Sequence, residues 1–358
     1  MTRKLNKKGI IAIIISAVLL IILLTIVVYF SKLSAPTKKD EKIEFVIEKG
    51  NTYTSIAKKL KEQNLIKSQF AYKIYIKLNK PQKLNACKYE LNKNMSVKEL
   101  VNTLSSGKCK EESMKITFKE GLNIKQIATL IEQNTNYKAD DVFNLLKNED
   151  YINKLISDYW FITDEIKNNQ IYYPIEGYLF PDTYEFKKDS TLEEIFKVLL
   201  DQMDKELSKY KSQIESSELT VHELLTLASI VELEAGNSAE RNGVAAVFYN
   251  RINDGWTLGS DVTTYYAEQK PFTEDLLLTE LNECNAYNTR GNCFQGLPVG
   301  PISNPSRQSI EGVMNPTQSE YYYFVADKTG KTYFNTTASG HQQTIDKLKR
   351  EGLWYIYE

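Results

Sequence analysis

Two carboxylates stand two residues apart in the stretch TVHELLTLASIVELEAG, residues 220–236. A single carboxyl group in suitable surroundings can both give and take a proton. Thr220 and Glu223 have capping-box spacing, which starts a helix, and Gly236 followed by Asn237 supplies a left-handed stop. At about 100° per residue, Val221, Leu224, Leu225, Ala228, Val231 and Ala235 share one stripe, and Glu232 falls among them. Glu234 projects from the opposite side, near Glu223, where His222, Thr226 and Ser229 define a more polar face. Glu232 is therefore expected to be the desolvated carboxylate, the kind that keeps its proton to higher pH and serves as a general acid, with Glu234 structural. The same phase also suits a boundary residue whose stem packs while its head finds a backbone partner.

Further polar groups sit in turn-rich or aromatic surroundings. Glu176, Asp182 and Glu185 lie among aromatic residues in IYYPIEGYLFPDTYEF, residues 171–186, a composition that fits either a sugar-binding wall or aromatic core. Ser260, Asp261, Thr263 and Thr264 follow in DGWTLGSDVTTYYA. From Tyr287 the chain is broken by Gly296, Pro298, Gly300, Pro301 and Pro305, so it forms a stiff loop with backbone groups in fixed directions. Cys284 and Cys293 bracket the base of that loop, and Cys87 and Cys109 bracket an earlier segment. Each pair is expected to form a disulfide in an oxidising compartment, with free thiols as the alternative. A zinc site is disfavoured, because no C-x-x-C spacing occurs and His222 and His341 are the only histidines. No metal or cofactor is expected.

The elements that must position these groups are legible in outline. Lys plus Arg number 45 and Asp plus Glu 46, so no net field points to nucleic acid. Residues 9–30, GIIAIIISAVLLIILLTIVVYF, are apolar without a charge, and at roughly 33 Å of helix they suffice to cross a bilayer. Arg3, Lys4, Lys7 and Lys8 favour a cytoplasmic tail at residues 1–8, which places the rest outside the cytoplasm. Residues 31–42 read as a linker. Strand, Gly and helix recur at 43–66 and 114–137, with Ile56-Ala57 and Ile127-Ala128 at the same step and a looser copy at 89–107 capped by Ser96 and Glu99. Residues 43–137 thus read as small strand-helix modules, 138–170 as a helical connector, and 171–358 as an α+β catalytic domain.

Several long motifs in a fixed order carry a resemblance: IEGYLFPDTYEF at 175–186, LASIVELEAG at 227–236, ERNGVAAVFYNRI at 240–252, LGSDVTTYY at 258–266, YNTRGNCFQGLPVGPISNPSRQSI at 287–310 and YYYFVADKTGKTYF at 321–334. The chain resembles the MltG (YceG-like) family of membrane-anchored endolytic murein transglycosylases from the anchor to about residue 350. It departs at Val262 and Val299, where the family usually has proline. The resemblance implies an α+β fold, LysM-like glycan-binding modules at 43–137, and the first glutamate of the helix motif, Glu232, as catalytic acid. It further implies that peptidoglycan is cut between N-acetylmuramic acid and N-acetylglucosamine, leaving a 1,6-anhydro end. Contacts to sugar or N-acetyl groups are then expected from Glu176, Ser260, Asp261, Thr263, Tyr287, Asn288, Thr289 and Asn304. Peptidoglycan synthases become expected neighbours, with a role in ending nascent strands. The competing expectations are a hydrolase with Asp261 or Glu176 as second carboxylate, and a non-enzymatic glycan-binding scaffold.

Overall fold

A computed structural model describes residues 7–82, 84–110, 113–235, 238–291 and 293–354 of the chain, which divides into two compact units at Glu112/Ser113. The architecture is mixed α and β, with small two-stranded sheets and many helices.

The first unit begins with α1 (Lys7–Leu33), whose apolar side chains from Ile10 onward are almost all exposed. It continues through β1 (Lys42–Val46), α2 (Ala57–Glu62), α3 (Gln69–Asn79), β2 (Lys88–Asn92) and α4 (Val97–Ser105). β1 and β2 pair antiparallel from Lys42 opposite Asn92 to Val46 opposite Lys88, with α2 and α3 between them in sequence. Phe45, Tyr89 and Leu91 turn inward and meet Leu60, Tyr72, Leu100 and Leu104 in one core. Ser96 and Glu99 form the expected capping box on α4. The Cys87–Cys109 disulfide ties the entry to β2 to the segment beyond α4. The expected linker is shorter than its composition suggests, because α1 runs to Leu33 and Lys67 Nζ donates to Ser34 Oγ across 2.6 Å.

The second unit runs β3 (Ser113–Thr117), α5 (Ile124–Asn134), α6 (Ala139–Leu146), α7 (Glu149–Asp158), β4 (Thr183–Lys187), α8 (Leu192–Leu207), α9 (Lys211–Glu215) and α10 (Val221–Glu234). After it come α11 (Arg241–Asn253), α12 (Asp261–Ala267), α13 (Leu278–Leu281), α14 (Arg307–Met314), the hairpin β5 (Tyr323–Ala326) and β6 (Thr332–Asn335), and α15 (Ala338–Arg350). β3 pairs antiparallel with β4, Ser113 opposite Lys187 and Thr117 opposite Thr183. Residues 113–137, grouped by their internal echo with the earlier modules, therefore build into this unit. A repeated local pattern sets strand and helix, but it does not set which distant strand closes the sheet.

At the centre lies α10. Thr220 and Glu223 cap it as the spacing predicts. Its burial is not confined to one stripe: every residue from Leu224 to Val231 is buried, and it packs against both α11 and α14. The face with His222, Thr226 and Ser229 is covered by the stiff loop, since His222 bonds Tyr178 Oη and the Val299 carbonyl, while Ser229 Oγ accepts from the Ile302 amide. The proposed stop at Gly236 and Asn237 lies outside the described residues. Ser238, expected as a helix cap, instead begins a 3-10 turn, and α11 starts only after Glu240, without a side-chain cap.

Candidate active site

The two glutamates of α10 meet different surroundings, as their helical phase suggests. Glu232 is closed in, its side chain 5% exposed, and Arg241 Nη2 donates to its Oε1 across 2.8 Å. Its Oε2 accepts from the Ser306 amide at 2.8 Å and from Ser309 Oγ at 2.7 Å. Ser306 caps α14, so this carboxylate fastens α14 and the start of α11 to the central helix. Glu232 is thus desolvated as its helical phase predicts, and its head finds the Ser306 backbone amide as the boundary reading of the same phase has it, beside the Arg241 ion pair.

Glu234, at the last turn of α10, lines a cleft of about 480 Å³. Ser260 Oγ donates to its Oε1 across 2.5 Å. Burial raises its pKa above the ordinary carboxyl value and the Asp261 carboxylate adds to the rise; the Ser260 bond and the Arg251 and Arg290 guanidinium groups oppose it. Arg251 is fixed by Nε donation to the Tyr322 carbonyl at 2.8 Å and lies over the Tyr323 ring. Arg290 Nε pairs with Asp261 at 3.1 Å. His341 stacks on Tyr323, its pKa lowered by burial and then by the charge of Arg251, and its Nδ1 has no partner among the described residues. These groups come from six segments of the sequence, and the cleft holds two carboxyl groups, two guanidiniums, a hydroxyl and an imidazole around open space.

Val262 borders this cleft and also a neighbouring cavity of about 500 Å³. Tyr265 and Phe272 meet there edge to face at 5.0 Å, with Phe272 58% exposed, beside Lys125 and Gln126.

The eight expected sugar contacts divide. Ser260 and Asp261 line the cleft. Glu176 does not: it is buried, accepting from the Ile124 amide at 2.9 Å, Tyr266 Oη at 3.0 Å and Asn304 Nδ2 at 3.1 Å, and burial pushes its carboxyl up to about 8 despite these donors. Asn304 also accepts from the Leu179 amide and donates to the Leu122 carbonyl. Thr263 and Thr289 bond each other at 2.8 Å, and Thr289 Oγ1 accepts from the Ser260 amide. Asn288 accepts from Thr264 and donates to the carbonyls of Glu280 and Glu283, while Tyr287 packs among Tyr172 and Tyr266. These six are buried polar supports of the loop rather than open contacts. Sequence reasoning passed over Arg251, Arg290 and Tyr323, which have no local signal. Both expected disulfides are present, Cys284–Cys293 closing the base of the loop. No group of three or more His, Cys, Asp or Glu among the described residues could hold a metal ion.

Fold and cleft together define a class: a mixed α and β protein with one apolar N-terminal helix and a partly buried acid facing a groove edged by basic and aromatic groups. Comparison with known proteins narrows it. The profile of the YceG-like family matches residues 45–347. The chain is 35% identical over 323 residues to the endolytic murein transglycosylase of Bacillus subtilis (strain 168), covering 89% of each. It is 33% identical over 316 residues to that of Streptococcus pneumoniae serotype 2 (strain D39), covering 84% of this chain but only 57% of the relative. A crystal structure of a YceG-like protein of Listeria monocytogenes superimposes with a TM-score of 0.61 at 32% identity, covering 86% of this chain and 100% of that one. The chain belongs to the YceG-like family.

Proposed function

We propose that this protein is a membrane-anchored lytic transglycosylase of peptidoglycan in which Glu234 is the single acid and base. The observation that carries the assignment is the environment of Glu234, the one glutamate of α10 that combines a raised pKa with an open cleft. Protonated Glu234 gives its proton to the glycosidic oxygen as the bond to the muramyl anomeric carbon breaks. The muramyl C6 hydroxyl bonds to that carbon, and its proton passes to the Glu234 carboxylate, restoring the acid. Atoms and charge balance without water, so no second carboxylate is required. Ser260 orients the acid, while Arg251, Arg290 and His341 are placed to meet hydroxyl and N-acetyl groups. The Tyr265–Phe272 cavity would take the next sugars, ring faces against aromatic faces.

The name of the relatives supports the substrate class, and a disulfide in each unit supports an extracytoplasmic place for both, with the basic residues before α1 favouring an N-terminus inside. The antiparallel β1–β2 pair enclosing α2 and α3 in sequence supports a LysM-like glycan-binding role for the first unit. A role in ending strands beside peptidoglycan synthases follows from the anchor, which would hold the cleft near the site of synthesis.

Asp261 lines the same cleft and keeps a hydrolase in view, because it could position water. Mass spectrometry of glycan digested by the wild-type protein separates the two. Anhydro ends support transglycosylation, reducing ends support hydrolysis, and undigested glycan at high enzyme concentration leaves a binding scaffold.

A further inference from the structure

α3 carries an apolar stripe that the core of its own unit does not cover. Phe70, Ile74 and Leu78 recur at every fourth residue, which keeps them on one side of the helix. Phe70 is 76% exposed and Leu78 71%, against a fully buried Tyr72 on the opposite side. Lys73 and Lys77 flank the stripe, Lys67 and Lys80 stand at its two ends, and α3 contains no acidic residue. An isolated exposed Phe needs no explanation; a stripe of this length with basic flanks does.

The same stripe lies beside α1. One groove is lined by Ile26, Tyr29 and Phe30 of α1 and by Phe70, Ala71 and Ile74 of α3. Lys67 bonds Ser34, and Leu33 packs against the core of the unit, so the end of α1 is fixed to it. The apolar span of α1 is 24 residues, Ile10–Leu33. At 1.5 Å per residue that is about 36 Å, longer than a hydrocarbon core of about 30 Å, so its last turns reach the level of the lipid headgroups. Phe70 is held at the height of Ile26 to Phe30.

We propose that α3 is an interfacial helix, with Phe70, Ile74 and Leu78 sunk into the leaflet from which α1 emerges and the lysines at the level of anionic headgroups. The inference rests on α1 crossing a bilayer. It makes the first unit a seat on the membrane surface rather than a tethered domain swinging on a long linker, and so limits the height at which that unit can meet glycan.

The test uses the full chain reconstituted in vesicles of phosphatidylcholine and phosphatidylglycerol, with and without bromine on the acyl chains. Phe70→Trp and Leu78→Trp are compared with Lys98→Trp on the exposed face of α4, after subtracting the emission of the three native tryptophans. The proposal expects the brominated chains to quench most of the added emission at positions 70 and 78 and none at 98. The two stripe variants check one another should either fold badly. Retention of the chain through an alkaline carbonate wash with both stripe tryptophans unquenched by bromine overturns the seat, whether they are open to aqueous iodide or shielded by another protein surface. Loss of the chain in the wash overturns the anchor and the seat together.

Discussion

Ser260 Oγ donates to Glu234 Oε1 across 2.5 Å, which links the residue before α12 to the last turn of α10. This bond holds one carboxyl oxygen and leaves the other to the cleft, and it favours the ionised form. Ser260→Ala should therefore raise the Glu234 pKa further. Activity that needs the protonated acid is lost as pH rises through that pKa, so the alkaline limb of kcat/KM should move to higher pH. The plateau should drop roughly tenfold from lost orientation. A pH–rate profile checks both; an unchanged alkaline limb would remove Ser260 from the site.

The Arg241–Glu232 pair is buried on both sides, at 9% and 5% exposure. Removing one partner strands the other charge, so Arg241→Met should cost about 3–5 kcal/mol. Adding Glu232→Gln to that variant should recover part of the loss. Urea denaturation of the two singles and the double reads the coupling, and independent, additive losses would mean that the pair does not hold α11 to α10 as described.

Glu176 gives the stability of the second unit a pH dependence. Its folded pKa, about 8, lies above the ordinary carboxyl value near 4.5, so the folded state holds the proton more tightly. The contribution is fully present below the unfolded pKa and is lost as pH rises through about 8. Wild-type Tm should fall between pH 5 and pH 9 by the equivalent of a few kcal/mol, on the order expected for a shift of this size. Glu176→Gln, which stays neutral, should flatten that fall, and differential scanning calorimetry across the range shows whether it does.

Gly177 has φ +84°, and a Cβ there would stand 2.3 Å from Pro301 Cβ. Gly177→Ala combines left-handed strain with an overlap against a rigid ring, so it should cost about 3 kcal/mol or more. Thermal melts measure this directly, and a wild-type Tm would show that the 171–182 segment and the loop at 297–305 are not packed as tightly as described.

Much of the scaffold was legible because its signals are local. The Thr220–Glu223 and Ser96–Glu99 boxes each mark a helix start within four residues, and both disulfides join cysteines paired by their place in the sequence. The site was less legible because its partners are distant. Helical phase separates the sides of α10, but a helix buried all round has no solvent side for that phase to find. Glu232 is bound by Arg241 nine residues on and by Ser306 and Ser309 more than seventy residues away, while the Glu234 carboxyl is pushed up by burial and by Asp261 against the opposing pull of Ser260, Arg251 and Arg290, all from later segments. Thr263, Asn288, Thr289 and Asn304 stand in the right segment, yet hydrogen bonding turns them inward, and residue type alone does not say which way a polar side chain faces.

The most direct measurement digests purified glycan strands with the wild-type protein and with Glu234→Gln and Glu232→Gln, each confirmed folded by circular dichroism, and quantifies 1,6-anhydro ends by mass spectrometry. Glu234→Gln should keep wild-type stability or better and lose between ~10²- and ~10⁴-fold in rate. Glu232→Gln should be less stable yet keep most of its turnover per folded molecule. Anhydro ends released by Glu234→Gln at the wild-type rate, or a folded Glu232→Gln that releases none, would contradict the assignment of the acid.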